Sequence, residues 1–88
     1  MTDLALFIAP NSSSSGMAVE NIRRALERFE AGTFALETVD VFAAPARALH
    51  DRVLVTPTLL APHCGRRVVG DLNDASLLDY FLQALLNT

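Results

Sequence analysis

Lysine and tryptophan are absent from this 88-residue chain, and cysteine and tyrosine occur once each. A single cysteine, Cys64, excludes an internal disulfide framework and any paired-thiol motif, and it agrees with a reducing cytoplasm. The longest apolar run, Leu4 to Pro10, is far too short to span a bilayer. No basic segment or small-residue cleavage pattern accompanies it, so no secretory signal is expected. Cationic charge is sparse: seven arginines face ten acidic residues, for a net charge of −3. That balance argues against general nucleic-acid affinity, which needs a basic face. What is present is apolar and aliphatic, 51% hydrophobic against 7% aromatic, enough for one modest core and one domain over 1–88.

The hydrophobic pattern predicts the order β-α-β-α-β-β-α. Leu4 to Ala9, apolar on both faces, reads as a central strand covered from both sides and stopped by Pro10 and Asn11. A helix is expected from about Gly16 to Glu30, with Val19, Ile22, Leu26 and Phe29 as its apolar stripe, Glu20 in its first turn and Gly32 as its stop. Phe34 to Val41 reads as a second strand, parallel to the first. Pro45 opens a short helix from Ala46 to His50, because proline suits the first helical turn. Thr58 to Ala61 and Arg67 to Gly70 form a hairpin around residues 62–65. The last helix is expected from about Asp74 to Leu86, with Asn73 as its cap and Leu72 and Leu77 as a hydrophobic staple.

Few residues invite a chemical reading. Asn11 to Gly16 precedes a helix start, where an anion can sit, but it lacks the glycine and lysine of a phosphate loop and reads first as a capping loop. Cys64 is a candidate lone thiol, with Arg66 and Arg67 near in sequence. His50, His63 and Cys64 lack metal-site spacing. Asp40 and Asp71 read as caps or arginine partners before they read as acid–base groups. The arginines at 23, 24, 28, 47, 52, 66 and 67 are the candidates for partner contact, because their forks suit carboxylates and interfaces. No catalytic, cofactor or metal site is assigned.

Thr56-Pro57-Thr58 places a proline, a candidate for the cis form, at the lip of a strand. A strand beginning there, turning into a second strand and then entering a helix, matches the second half of a thioredoxin-like fold. Where that fold carries Cys-x-x-Cys, this chain has Asn11-Ser12-Ser13-Ser14-Ser15. Longer stretches resemble the KaiB family. Leu6-Phe7-Ile8-Ala9 is similar to its first strand, and Gly32 to Leu36 and Val39-Asp40-Val41 to its second. Val53-Leu54-Val55-Thr56-Pro57-Thr58-Leu59 and Arg66-Arg67-Val68-Val69-Gly70-Asp71-Leu72 resemble its two most specific motifs. The chain departs from that pattern at Met17, Glu37 and Ala61, where the family often carries basic residues.

The resemblance implies an α/β domain with a four-stranded mixed sheet and helices on both faces, or the family's alternative rearranged fold. It implies a non-enzymatic module without cofactor that binds a KaiC-like ATPase. Arg23, Arg24, Arg52, Arg66, Arg67 and Asp71 are then the candidate contacts, and Pro57 and Gly70 are structural. Other readings stand beside it: a sensor module like that of the histidine kinase SasA, or a redox protein using Cys64. A dimer or tetramer is compatible with the apolar stripe of the last helix.

Overall fold

The computed structural model describes residues 1–87. Seven elements follow in chain order: β1 (Thr2–Ile8), α1 (Ser13–Leu26), β2 (Phe34–Asp40), α2 (Pro45–His50), β3 (Thr58–Ala61), β4 (Arg66–Val69) and α3 (Ala75–Leu85). The strands form one mixed sheet in the order β2-β1-β3-β4. β1 pairs with β2 in parallel, Leu4 beside Leu36 and Ile8 beside Asp40. It pairs with β3 antiparallel, Phe7 beside Thr58, and β3 pairs antiparallel with β4.

Side chains alternate across a strand, so the four central residues of β1 serve two cores. Leu4 and Leu6 join Ala18, Ile22 and Ala25 of α1, Leu59 and Ala61 of β3, and Leu78, Phe81, Leu82 and Leu85 of α3. Ala5 and Phe7 face the other way, toward Val39, Leu60 and Ala48 of α2. Helices thus cover both faces, α1 and α3 on one and α2 on the other, as the doubly apolar first strand predicts. Full burial of one leucine here contributes about 2 kcal/mol. The arrangement is the thioredoxin-like alternative, with α3 fully helical.

Several boundaries differ from the sequence reading, each for a local reason. α1 begins at Ser13, because Ser12 Oγ accepts the Ser15 amide at 3.3 Å and caps the helix there. Most of the expected serine loop is therefore the first turn of the helix. Glu20 consequently lies beyond that turn, on the surface and 3.9 Å from Arg24. At the other end, Arg28 and Phe29 make tight-turn bonds to Ala25 and Leu26, which end α1 early. Phe29 folds back edge-on to Phe34, with ring centroids 5.1 Å apart. Gly32, at φ +88°, serves the turn into β2 and does not cap α1.

The start of α3 also shifts. Asp74, not Asn73, is the cap, its carboxylate accepting the Leu77 amide at 3.0 Å. The Asn73 amide goes instead to Asp71 Oδ1. Leu72, at φ +63°, is driven into the core, while Leu77 stays 51% exposed, so the two do not form the expected staple. Val53 to Val55, apolar throughout, lead to Pro57 without forming a strand.

Candidate functional site

The register gathers one set of segments at one end of the sheet. Ile8 lies beside Asp40, Phe7 beside Thr58, and Thr58 beside Val69. The α1 N-terminus, residues 41–44, the Thr56–Pro57 bond and Gly70 therefore all lie at this end. The Thr56–Pro57 peptide is cis, and the Gly70 amide donates to the Pro57 carbonyl at 2.9 Å, with Gly70 at φ +116°. Cys64 lies at the opposite end, exposed in the β3–β4 turn, since Ala61 continues the β3 register past Ala5 toward the start of β1.

Serines occupy the turn where a reactive thiol pair would stand, and Ser12 and Ser15 have structural tasks there. Ser12 caps α1 and exchanges a hydroxyl bond with Ser14. Ser15 is buried, its hydroxyl accepting the Ala9 amide at 3.1 Å. That bond ties the end of β1 to the first turn of α1.

Beside this turn is an apolar shelf. Ala9, Val41, Phe42, Val53, Leu54, Val55 and Thr56 line an open concavity of about 260 Å³. Leu54 is 91% exposed and Phe42 73%, with Val55 more than half exposed. The backbone explains their position. Asp40 accepts the amides of Phe42 and Ala43, closing the turn after β2. Thr58 Oγ1, itself buried, donates to the Val55 carbonyl at 2.7 Å. Only Val53 of the 53–55 run packs against the α2-side core. The shelf is not legible in the sequence, because apolarity alone does not tell an exposed run from a buried one; Pro57 is the signal that the run lies outside the ladder.

The arginines divide between places. Arg52 ends α2 at φ +57°, next to the shelf. Arg67 reaches from β4 across the α2 face and donates to the carbonyls of Asp51 and Arg52, both at 3.0 Å. Arg66 lies on the same strand, opposite Ala61 and toward the far end. Arg23 and Arg24 lie in the last turn of α1, on the other face. Arg24 lines a shallow depression there with Asn21, Leu72 and Asn73, and Asn21 Nδ2 donates to the Asp71 carbonyl at 2.9 Å. Asp71 is thus a turn-forming residue on the α1 side, and it does not orient Arg67. Among the described residues, Arg23, Arg52 and Arg66 make no ion pair. The six candidates do not form one patch: Arg52 and Arg67 meet at the turn that leads into the shelf, Arg23, Arg24 and Asp71 lie on the α1 side, and Arg66 lies apart toward the far end of β4.

Two further arginines are engaged within the fold. Arg28 pairs with Asp79 and links α1 to α3. Arg47 forks onto Glu37 of β2 at 2.7 and 2.8 Å. That hydrogen-bonded guanidinium holds the Glu37 carboxyl below the ordinary carboxylate range. Among the described residues, no three His, Cys, Asp or Glu side chains converge as a metal-binding group, and no helix is long and apolar enough to cross a membrane.

Comparison with known proteins agrees with this geometry. A family profile described as "KaiB domain" matches residues 5–84. The chain belongs to the KaiB family. Relatives with the name "Circadian clock oscillator protein KaiB" match most of the chain. The one from Prochlorococcus marinus (strain NATL2A) is 40% identical over 73 residues, which cover 81% of this chain and 68% of that protein. The one from Nostoc punctiforme is 37% identical, covering 81% and 70%. Among solved structures, a thioredoxin variant from Halobacterium salinarum NRC-1 superposes with TM-score 0.76 and 26% identity, over 94% of this chain and 73% of its own. The N-terminal domain of Synechococcus elongatus SasA superposes with TM-score 0.75 and 24% identity, over 99% and 85%. This KaiB-family chain thus has the thioredoxin-like fold, with serines where a redox pair would stand. Glu37 is the internal partner of Arg47.

Proposed function

We propose that this chain is a single-domain, non-catalytic interaction module of the KaiB type, working in the cytoplasm in circadian or clock-like regulation by docking on a KaiC-like ATPase. The observation that carries the reading is the shelf of Phe42, Leu54 and Val55, held open beside cis-Pro57 and left uncovered by the described residues. Large apolar side chains held outside a core mark contact surfaces. Arg52 precedes the shelf in sequence, makes no ion pair among the described residues and suits a carboxylate on the docking protein. Cys64 lies at the far end of the sheet, which weighs against a redox role. The fold shared with the SasA domain leaves a histidine kinase as the second partner class to test.

The test is co-elution of the purified protein with the KaiC-like ATPase of its own organism, with ATP or ADP, on size exclusion. The controls are the Arg52→Glu, Arg66→Glu double variant and Leu54→Asp. A complex lost in Leu54→Asp supports docking through the shelf. A complex that survives Leu54→Asp but not the double variant moves the contact to the arginines. No complex with the ATPase, but one with a sensor kinase, replaces the partner.

A further inference from the structure

The segment that carries the shelf has little holding it. From Asp51 to Pro57 the chain has no regular structure, and its exposed apolar side chains, Leu54 and Val55, belong to neither core cluster. α2 itself buries only Ala48. At the turn, the amides of Asp51, Arg52 and Val53 are satisfied by the carbonyls of Arg47, Leu49 and Ala48 at 2.9–3.1 Å. The carbonyls of Asp51 and Arg52 point the other way, and Arg52 is in the left-handed region, which costs a non-glycine residue about 1 kcal/mol. Nothing in α2 or the loop itself holds that conformation from the carbonyl side.

Arg67 supplies the hold. It pairs with Leu60, whose side chain belongs to the α2-side core, so Arg67 projects toward α2. Nη2 donates to the Asp51 carbonyl and Nη1 to the Arg52 carbonyl, each at 3.0 Å. Among the described residues no carboxylate pairs with it. A planar fork reaches two successive carbonyls at once, which a lysine ammonium does not reproduce. The cation also sits at the carbonyl end of α2, where the helix favours positive charge.

We propose that Arg67 is a positioning residue for the docking shelf: its fork locks the Asp51–Arg52 turn from β4 and fixes Leu54 and Val55 in their exposed presentation before a partner arrives. The inference rests on the shelf being the docking surface, and it gives Arg67 an internal role in place of direct contact. A loop ordered in advance spares the complex the cost of ordering it.

Two measurements on the intact protein test it: native-state amide exchange, and affinity for the KaiC-like ATPase. Arg67→Ala is expected to speed exchange at Arg52 and Val53 about tenfold or more while amides of β1 and α3 keep their protection. Arg67→Lys should restore part of that protection, and Arg66→Ala should leave it unchanged. Affinity should fall about tenfold in Arg67→Ala, mainly through slower association. Unchanged exchange at residues 52–53, or faster exchange spread evenly over the fold, overturns the clamp. A protein that binds the ATPase equally well with and without Arg67 overturns the positioning role and leaves the partner reading standing. A loop that loosens in Arg67→Ala, in a protein that binds no ATPase, supports the clamp and overturns the partner reading.

Discussion

Arg47 grips Glu37 through both carboxylate oxygens, at 2.7 and 2.8 Å, while its guanidinium carbon lies 6.0 Å from the centre of the Phe7 ring. The fork joins α2 to the edge strand β2 and roofs part of the smaller core. Arg47 also reaches Asp51 at 3.6 Å, so one cation serves carboxylates on two elements.

This pair makes stability pH-dependent in a definite direction. The Glu37 carboxyl is lowered from its ordinary value of 4.5, first by the Arg47 hydrogen bond. The unfolded chain therefore binds its proton at higher pH than the folded chain does. The pair's stabilisation is fully present above 4.5 and is lost as pH falls through the depressed folded value. Urea midpoints of the native protein should fall on acidification below that point more steeply than those of Glu37→Gln. The pair is exposed, so the difference should be small and should shrink in about 1 M salt. Superimposable pH profiles would remove the pair from the stability of the fold.

Much of this architecture is legible in the sequence because alternation and helical period report which face is buried. Leu4 to Phe7 announce a central strand, and the thirty residues that follow give a helix and a parallel strand. Leu78, Phe81, Leu82 and Leu85 announce α3 in the same way. What is not legible is decided by hydrogen bonds between particular atoms. Four serines in a row look alike until one amide selects Ser12 as the cap. Asn73 and Asp74 are both good caps, and Asp71 settles the matter by accepting the Asn73 amide. The shelf is hidden for another reason: burial is inferred from apolarity, and Val53, Leu54 and Val55 share apolarity without sharing burial.

The serines at 12 and 15 should separate from those at 13 and 14 on substitution. Ser15→Ala leaves the Ala9 amide without its buried acceptor, at a cost of about 1–3 kcal/mol. Ser12→Ala removes the cap, at about 1 kcal/mol. Ser13→Ala should be near neutral, since its hydroxyl holds no such bond. Denaturant midpoints of the three variants check the order, and an equal loss at all three positions would contradict the assigned cap.

α3 offers a similar test of register. Leu82 is fully buried, so Leu82→Ala should cost about 2–5 kcal/mol. Leu77→Ala, one turn and one residue earlier in the same apolar run, should cost about 0.5 kcal/mol or less because the side chain already faces water. Asp74→Ala should cost about 1 kcal/mol and Asn73→Ala less, following the cap. A large loss at Leu77 would place it in the core and shift the helix frame.

Leu54 carries the most direct test of the shelf. A residue that is 91% exposed contributes almost nothing to the core, so Leu54→Asp should change folding stability by no more than about 0.5 kcal/mol. The same change puts a carboxylate into the middle of an apolar contact, where an unpaired buried charge opposes association. Phe42→Ser should behave alike, since its backbone is fixed by Asp40 and not by its ring. Unchanged thermal midpoints with at least tenfold weaker docking in both variants would show side chains retained for a partner. Variants that lose stability in step with docking would mean that Phe42 and Leu54 pack within the fold, and the shelf would then be an internal surface.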